Sequence, residues 1–158
     1  MLQRLSMALL LCGAASFAQK YSGPRPPKPD IPYLQHADTL VEPEVNEAKE
    51  QNRKDEQTYV IPGAASSAKT PLASPVFLLQ ADKLAPDKLE LYRLESKNGQ
   101  REVIVMRKKK PVARPFRLSV SRLSADNLYR IEVDESLPNG EYSLTPSGSN
   151  QVFCFQVY

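Results

Sequence analysis

Between Pro75 and Tyr158 apolar and polar residues alternate with a period of two, and glycine, proline, asparagine or serine interrupts them about every ten residues. Short β-strands joined by tight turns leave this pattern, which predicts strands at about 76–80, 88–95, 102–107, 116–123, 128–134, 141–145 and 151–157. Lys97-Asn98-Gly99-Gln100 and Ser147-Gly148-Ser149-Asn150 carry hairpin chemistry. Every proline in this half falls at a strand end or in a loop, where no ladder hydrogen bond is lost. Phe116, Leu118 and Val120 face one way and Arg117, Ser119 and Ser121 the other. Tyr129, Ile131 and Val133 alternate with Arg130, Glu132 and Asp134, and Tyr142 and Leu144 with Glu141, Ser143 and Thr145. Each of these three strands is expected to have one wet face. The alternation changes phase between Leu91 and Tyr92, which predicts a bulge.

Two runs depart from alternation. Val103-Ile104-Val105-Met106 and Val152-Phe153-Cys154-Phe155 are apolar on both faces. The outer face of strands 102–107 and 151–157 should therefore carry an apolar patch on the order of a few hundred Å², enough to require a cover. The candidates are an unknown protein partner, self-association, or the segment from Tyr33 to Ile61 folding back.

Leu137-Pro138-Asn139-Gly140-Glu141-Tyr142 is a turn that delivers a tyrosine into the next strand. With seven strands around it, Gly140-Glu141-Tyr142 resembles the tyrosine corner of bacterial immunoglobulin-like β-sandwich modules, in which the phenol hydroxyl ties back to nearby backbone. The resemblance covers about Pro75 to Tyr158. The chain has no tryptophan, and Leu144 stands where antibody-type domains place a disulfide cysteine. The fold class implied is all-β: an immunoglobulin-like antiparallel sandwich of about seven strands, with 102–107 and 151–157 flanking 141–145 in one sheet. It brings no catalytic or binding residues with it, and such architectures serve recognition and scaffolding.

The first eighteen residues read as a signal peptide. Arg4 gives the positive start, Leu5 to Phe17 the apolar run, and Ser16 and Ala18 in Ser16-Phe17-Ala18 the two small residues expected before cleavage after Ala18. Cys12 follows leucines as in lipoprotein signals, but Leu11 is larger than the residue that normally precedes a lipidated cysteine. The expectation is a secreted or periplasmic protein with no transmembrane span in the mature chain. Residues 19–74 form a Pro-rich and charged extension, expected to be partly disordered. Pro24, Pro26, Pro27, Pro29 and Pro32 make its first part a semi-rigid tether. Pro43 to Gln57 predicts a short solvated helix, residues 58–61 an edge strand, and 64–74 a loop; residues 75–158 are the sandwich domain.

Charge refines the picture in one place. The chain counts 21 Lys and Arg against 18 Asp and Glu, too mild a balance for a general nucleic-acid binder. Yet Arg107, Lys108, Lys109, Lys110, Arg114 and Arg117 put six cations in eleven residues with no acid among them. Pro111 and Pro115 should hold this loop out of the sheet. It is read either as a contact for an anionic glycan or lipid surface, or as solvated lysines that blunt edge pairing. No aromatic interrupts the lysine run, which argues against single-stranded nucleic acid.

No catalytic site, cofactor site or metal site is expected. His36 is the only histidine and reads as an exposed loop residue, so a hydrolytic triad has no base in the folded half. After signal cleavage Cys154 is the only cysteine, flanked by Phe153 and Phe155 and read as a buried small hydrophobe. With one of each, a structural zinc site is excluded. Asp126, Asp134 and Glu135 at strand ends read as solvated surface. The function expected is a non-catalytic structural or interaction module of the cell envelope, the alternative being a carbohydrate- or anionic-surface-binding module that uses loop 107–117.

Overall fold

The computed structural model describes residues 20–158; the segment expected to be a signal peptide, with Cys12, lies outside the described residues. The fold is all-β, and its sheets are antiparallel with one short exception. The segment expected to be an extension contributes β1 (Tyr33–His36), β2 (Thr39–Val41), β3 (Glu44–Glu47), β4 (Lys49–Arg53), β5 (Glu56–Pro62) and β6 (Lys69–Thr70). The second half contributes β7 (Val76–Gln80), β8 (Leu89–Lys97), β9 (Gln100–Arg107), β10 (Lys110–Pro111), β11 (Leu118–Ser124), β12 (Leu128–Val133), β13 (Gly140–Pro146) and β14 (Gln151–Val157). Apart from β10, these stand where the alternation places them.

One sheet runs β11-β12-β7-β1-β2. The other runs β3-β14-β13-β8-β9-β5-β4, with β10 added beside β9 and β6 lying parallel to the end of β14. The outermost strands of this second path, β3 and β4, are consecutive in the chain and separated only by Ala48. The Ala48 N–H donates to the Asn150 carbonyl at 2.8 Å. Residues 44–53 thus act as one strand, kinked at Ala48, that pairs with β14 through its first half and with β5 through its second. The sheet closes on itself as a six-stranded antiparallel barrel.

Several expectations are corrected here. The immunoglobulin order puts β13 between β9 and β14, whereas β13 lies between β14 and β8, with β9 beyond β8. The cause is the Asn98-Gly99 turn, with φ of 53° and 76°, which folds β8 and β9 into a hairpin within one sheet. The expected helix at 43–57 is instead β3, β4 and the start of β5. Its sequence offers a helix almost no face to bury, while as strands it pairs on both sides, so tertiary pairing overrides propensity. Residues 58–61 are a strand, but an interior one, flanked by β9 and β4. Nor is the proline-rich stretch only a tether: the Asp30 carboxylate accepts the backbone N–H groups of Asp82, Lys83 and Leu84 at 2.9–3.1 Å.

Two cores result. Between the sheets, Leu34, Phe77, Leu79 and Ile131 pack against Leu89, Leu91, Tyr142, Leu144, Phe153 and Phe155. Inside the barrel, Ala48, Ile61, Leu94, Val152 and Cys154 form a second cluster, with Tyr59 and Val103 packed on it. β8 and β14 contribute to both clusters, and β13 is buried on both faces too, through Tyr142 and Leu144 on one and Glu141 and Ser143 on the other. This explains the two-sided run at 152–155, and it removes the expected bulge: β8 pairs with β13 in unbroken register, with Leu89 and Leu91 facing one core and Leu94 the other. It also corrects the wet face expected of β13, because Glu141 and Ser143 are buried. The cover over 151–157 is the chain itself. The segment from Tyr33 to Ile61 supplies much of it: Leu34 packs on one face of β14 from the opposite sheet, and Ala48, Tyr59 and Ile61 pack on the other inside the barrel.

Candidate functional site

One end of the barrel is plugged. Arg101 is fully buried and points inward from β9 in phase with Val103 and Val105. Its guanidinium reaches Glu44 on β3 at 2.6 Å, the Ser66 hydroxyl at 2.7 Å and the Pro62 and Gly63 carbonyls at 2.6 and 2.9 Å. Glu141 on β13 lies 3.8 Å from the same group and accepts from the Ser66 backbone at 2.9 Å and its hydroxyl at 2.5 Å. The other oxygen of Glu141 is buried without a partner. Burial works to raise the Glu44 carboxyl, but the Arg101 bond, with those from Ser67 and Asn46, outweighs it and holds Glu44 below its ordinary range. Cys154 sits above this cluster. Burial first, and the nearby carboxylates after it, push its thiol up to about 12 against the opposing pull of Arg101, so it is an inert packing group.

The opposite end is open. β8 and β9 pair only through Glu95–Lys97 and Gln100–Glu102 and then diverge, which leaves a cavity of about 200 Å³ in the barrel mouth. Its walls are Ile61, Val103, Val105 and Val152, with Tyr59 and Tyr92 as its aromatic groups. Ala48 and Ser143 fill little of the space. Glu90 is the only charged residue on the lining, and one of its oxygens accepts the Tyr92 hydroxyl at 3.1 Å. Burial, reinforced by the Glu90 charge, pushes the Tyr92 phenol up to about 12, so it remains a donor at neutral pH.

Beyond the mouth two hairpin turns meet. Lys54-Asp55 joins β4 to β5, Lys108-Lys109 joins β9 to β10, and the Lys108 N–H donates to the Asp55 carbonyl at 2.7 Å. Arg53, Lys54, Arg107, Lys108, Lys109 and Lys110 are all exposed at this tip. Arg107 pairs with Glu56 at 2.7 Å; among the described residues the other five have no carboxylate partner within ion-pair distance. The structure corrects one detail of the basic loop: Lys110–Pro111 enters the sheet as β10, because left-handed backbone at Lys108 and Lys109 turns the chain straight back onto β9. It also divides the predicted set. Arg107 to Lys110 are together, Arg114 shares a groove with Arg107, Glu95 and Glu102, and Arg117 stands before β11, its backbone N–H given to Glu135 at 3.1 Å.

The corner residues lie away from both ends. The Tyr142 hydroxyl donates to the Pro138 carbonyl at 2.6 Å, and its ring stacks on Phe155 with centroids 5.6 Å apart. Gly140 passes under the Arg93 guanidinium, where a Cβ would stand 3.4 Å from it. His36 is on β1 rather than in a loop, and its Nε2 is 2.8 Å from the Thr70 hydroxyl. Asp126 pairs with Arg25, and no group of three or more His, Cys, Asp or Glu side chains among the described residues could hold a metal ion. Sequence reasoning missed Glu44, Ser66, Arg101 and Glu141 in the plug, Glu90 and the two tyrosines in the mouth, and Arg53 and Lys54 at the tip. Arg101 shares parity with Val103 and Val105, but Ile104 and Met106 make the other face apolar too, so parity alone does not place it inside. The tip cations lay in a segment read as helix. Comparison of the chain with protein-family models, curated proteins and solved structures finds no match.

Proposed function

We propose that the chain is a non-catalytic interaction module of the cell envelope, working in the secreted or periplasmic space and engaging anionic surface through the tip of its barrel. The observation that carries this reading is the meeting of the two turns, which gathers Arg53 and Lys54 beside Arg107 to Lys110 and leaves five of the six cations without an acidic partner among the described residues. A rigid, closed sheet beneath them lowers the ordering cost of presenting these charges together. The likeness to immunoglobulin-like modules rests on strand count and the Tyr142 bond; the strand order departs from it, and the reading does not depend on it.

Each lysine near a charged membrane contributes about 1 kcal/mol, so several at one tip give measurable attraction at low salt. Replacing Lys108, Lys109 and Lys110 together by Gln should abolish binding to vesicles rich in anionic phospholipid or to an acidic polysaccharide. Binding by the wild type should weaken as salt is raised. Undiminished binding by the triple variant would leave the tip as ordinary solvated surface.

A further inference from the structure

The plug and the divergence of β8 from β9 make the barrel a cup, and the cup has a charge signature opposite to its rim. We propose that the barrel mouth is a binding site for a small organic ammonium compound with an apolar body of about one ring. The body would lie between Val103, Val105, Ile61 and Val152, and the ammonium would meet Glu90.

Size, polarity and charge each support this. A cavity of about 200 Å³ is too small for a drug-sized ligand but suits one ring, since an apolar cavity of about 150 Å³ holds benzene. Mouths of barrels are a recurrent place for such sites because one end is closed and the other wet. The lining has one formal charge, the carboxylate of Glu90, and the Tyr92 hydroxyl occupies only one of its oxygens. An anionic ligand would meet that carboxylate unfavourably, and a neutral one could offer its free oxygen only an uncharged donor, weaker than an ammonium N–H. A cation satisfies it with a charge-assisted bond, and Tyr59 and Tyr92 on the same lining bring aromatic rings within reach of cation–π attraction. Ser143 and Thr145 supply further acceptors for ammonium protons. The site is separate from the cationic tip: the two share no residue.

The probe is 2-phenylethylammonium, titrated into the full mature chain and followed by backbone amide shifts. Saturable shifts should appear at Val103, Val105, Thr145 and Val152, with a dissociation constant of about 1 mM. The neutral isostere 2-phenylethanol should bind about tenfold more weakly, and phenylacetate should not bind. Glu90→Gln keeps an acceptor for Tyr92 but removes the charge, and should lower affinity for the ammonium probe about tenfold while leaving that for the alcohol unchanged. Val105→Phe should fill the cup and abolish binding of both, with native shifts elsewhere showing that the fold is kept. The Lys108, Lys109 and Lys110 variant should bind the probe as well as wild type, so failure of the anionic-surface reading would leave this one standing. Equal affinity for ammonium and alcohol, indifference to Glu90→Gln, shifts outside the mouth, or no saturation by about 20 mM would each overturn the proposal.

Discussion

Arg101 shows how one side chain can decide the character of an end of the molecule. A buried guanidinium is tolerable only where its donors are matched, and here two carboxylates, a hydroxyl and two carbonyls surround it. Removing it leaves the Glu44 and Glu141 carboxylates close together with no cation between them. Arg101→Ala should therefore cost about 3–5 kcal/mol in denaturant unfolding. A loss below about 1 kcal/mol would mean that water already reaches the cluster. Tyr142 works on a smaller scale. Its ring stays packed if the hydroxyl is removed, but the Pro138 carbonyl loses its donor, so Tyr142→Phe should cost about 1–3 kcal/mol. A change of only a few tenths of a kcal/mol would show that the hydroxyl does not hold the turn. The two residues also differ in legibility. Tyr142 announced itself by the turn before it. Arg101 sits in a run whose neighbours on both faces are apolar or charged, and alternation cannot tell an inward arginine from an outward one.

At the level of elements, seven of the eight C-terminal strands were readable because each is an alternating or apolar run bounded by its own turn or loop. The strands of the first half were not. β3 and β4 are polar, mostly exposed and rich in helix formers; what makes them strands is the edges of β14 and β5, supplied by residues distant in sequence. Strand order was harder still to read. The Asn98-Gly99 hairpin was visible, and by itself it requires β8 and β9 to be neighbours, which an immunoglobulin order does not allow. The local signal was the better guide. Deleting residues 19–57 tests the role of the first half: the remainder loses β1 to β4 and the start of β5, which opens the barrel and uncovers Val152, Cys154 and Leu94. That fragment should bind hydrophobic dyes and self-associate. A monomeric fragment as stable as residues 19–158 would mean that the first half is dispensable.

For the molecule as a whole, two carboxylates tie distant parts of the chain together, and both are held below their ordinary range. For Asp30, burial opposes the shift, but the backbone N–H groups of Leu84, Asp82 and Lys83 outweigh it; for Glu44, the Arg101 bond is the main counterweight to burial. Groups with depressed values stabilise the fold above their ordinary values of 3.8 and 4.5, and that contribution is lost as pH falls through the lower folded values. Thermal midpoints should be nearly level from pH 7 to about 5 and drop steeply below about 4. Glu44→Gln should start lower and fall less. A wild-type midpoint that stays level down to about pH 2 would show that neither contact contributes.

The kink at Ala48 has a consequence for the order of events in folding. The strand that closes the barrel joins Glu47 to Gln151, partners more than a hundred positions apart, and β14 follows every other strand among the described residues. Until β14 exists, residues 44–47 have no edge to join, and the barrel stays unclosed however long the rest has waited. Such distant pairings form slowly, because a long loop must be closed before any contact rewards it. Closure of the barrel should therefore be a late step in folding, waiting on β14.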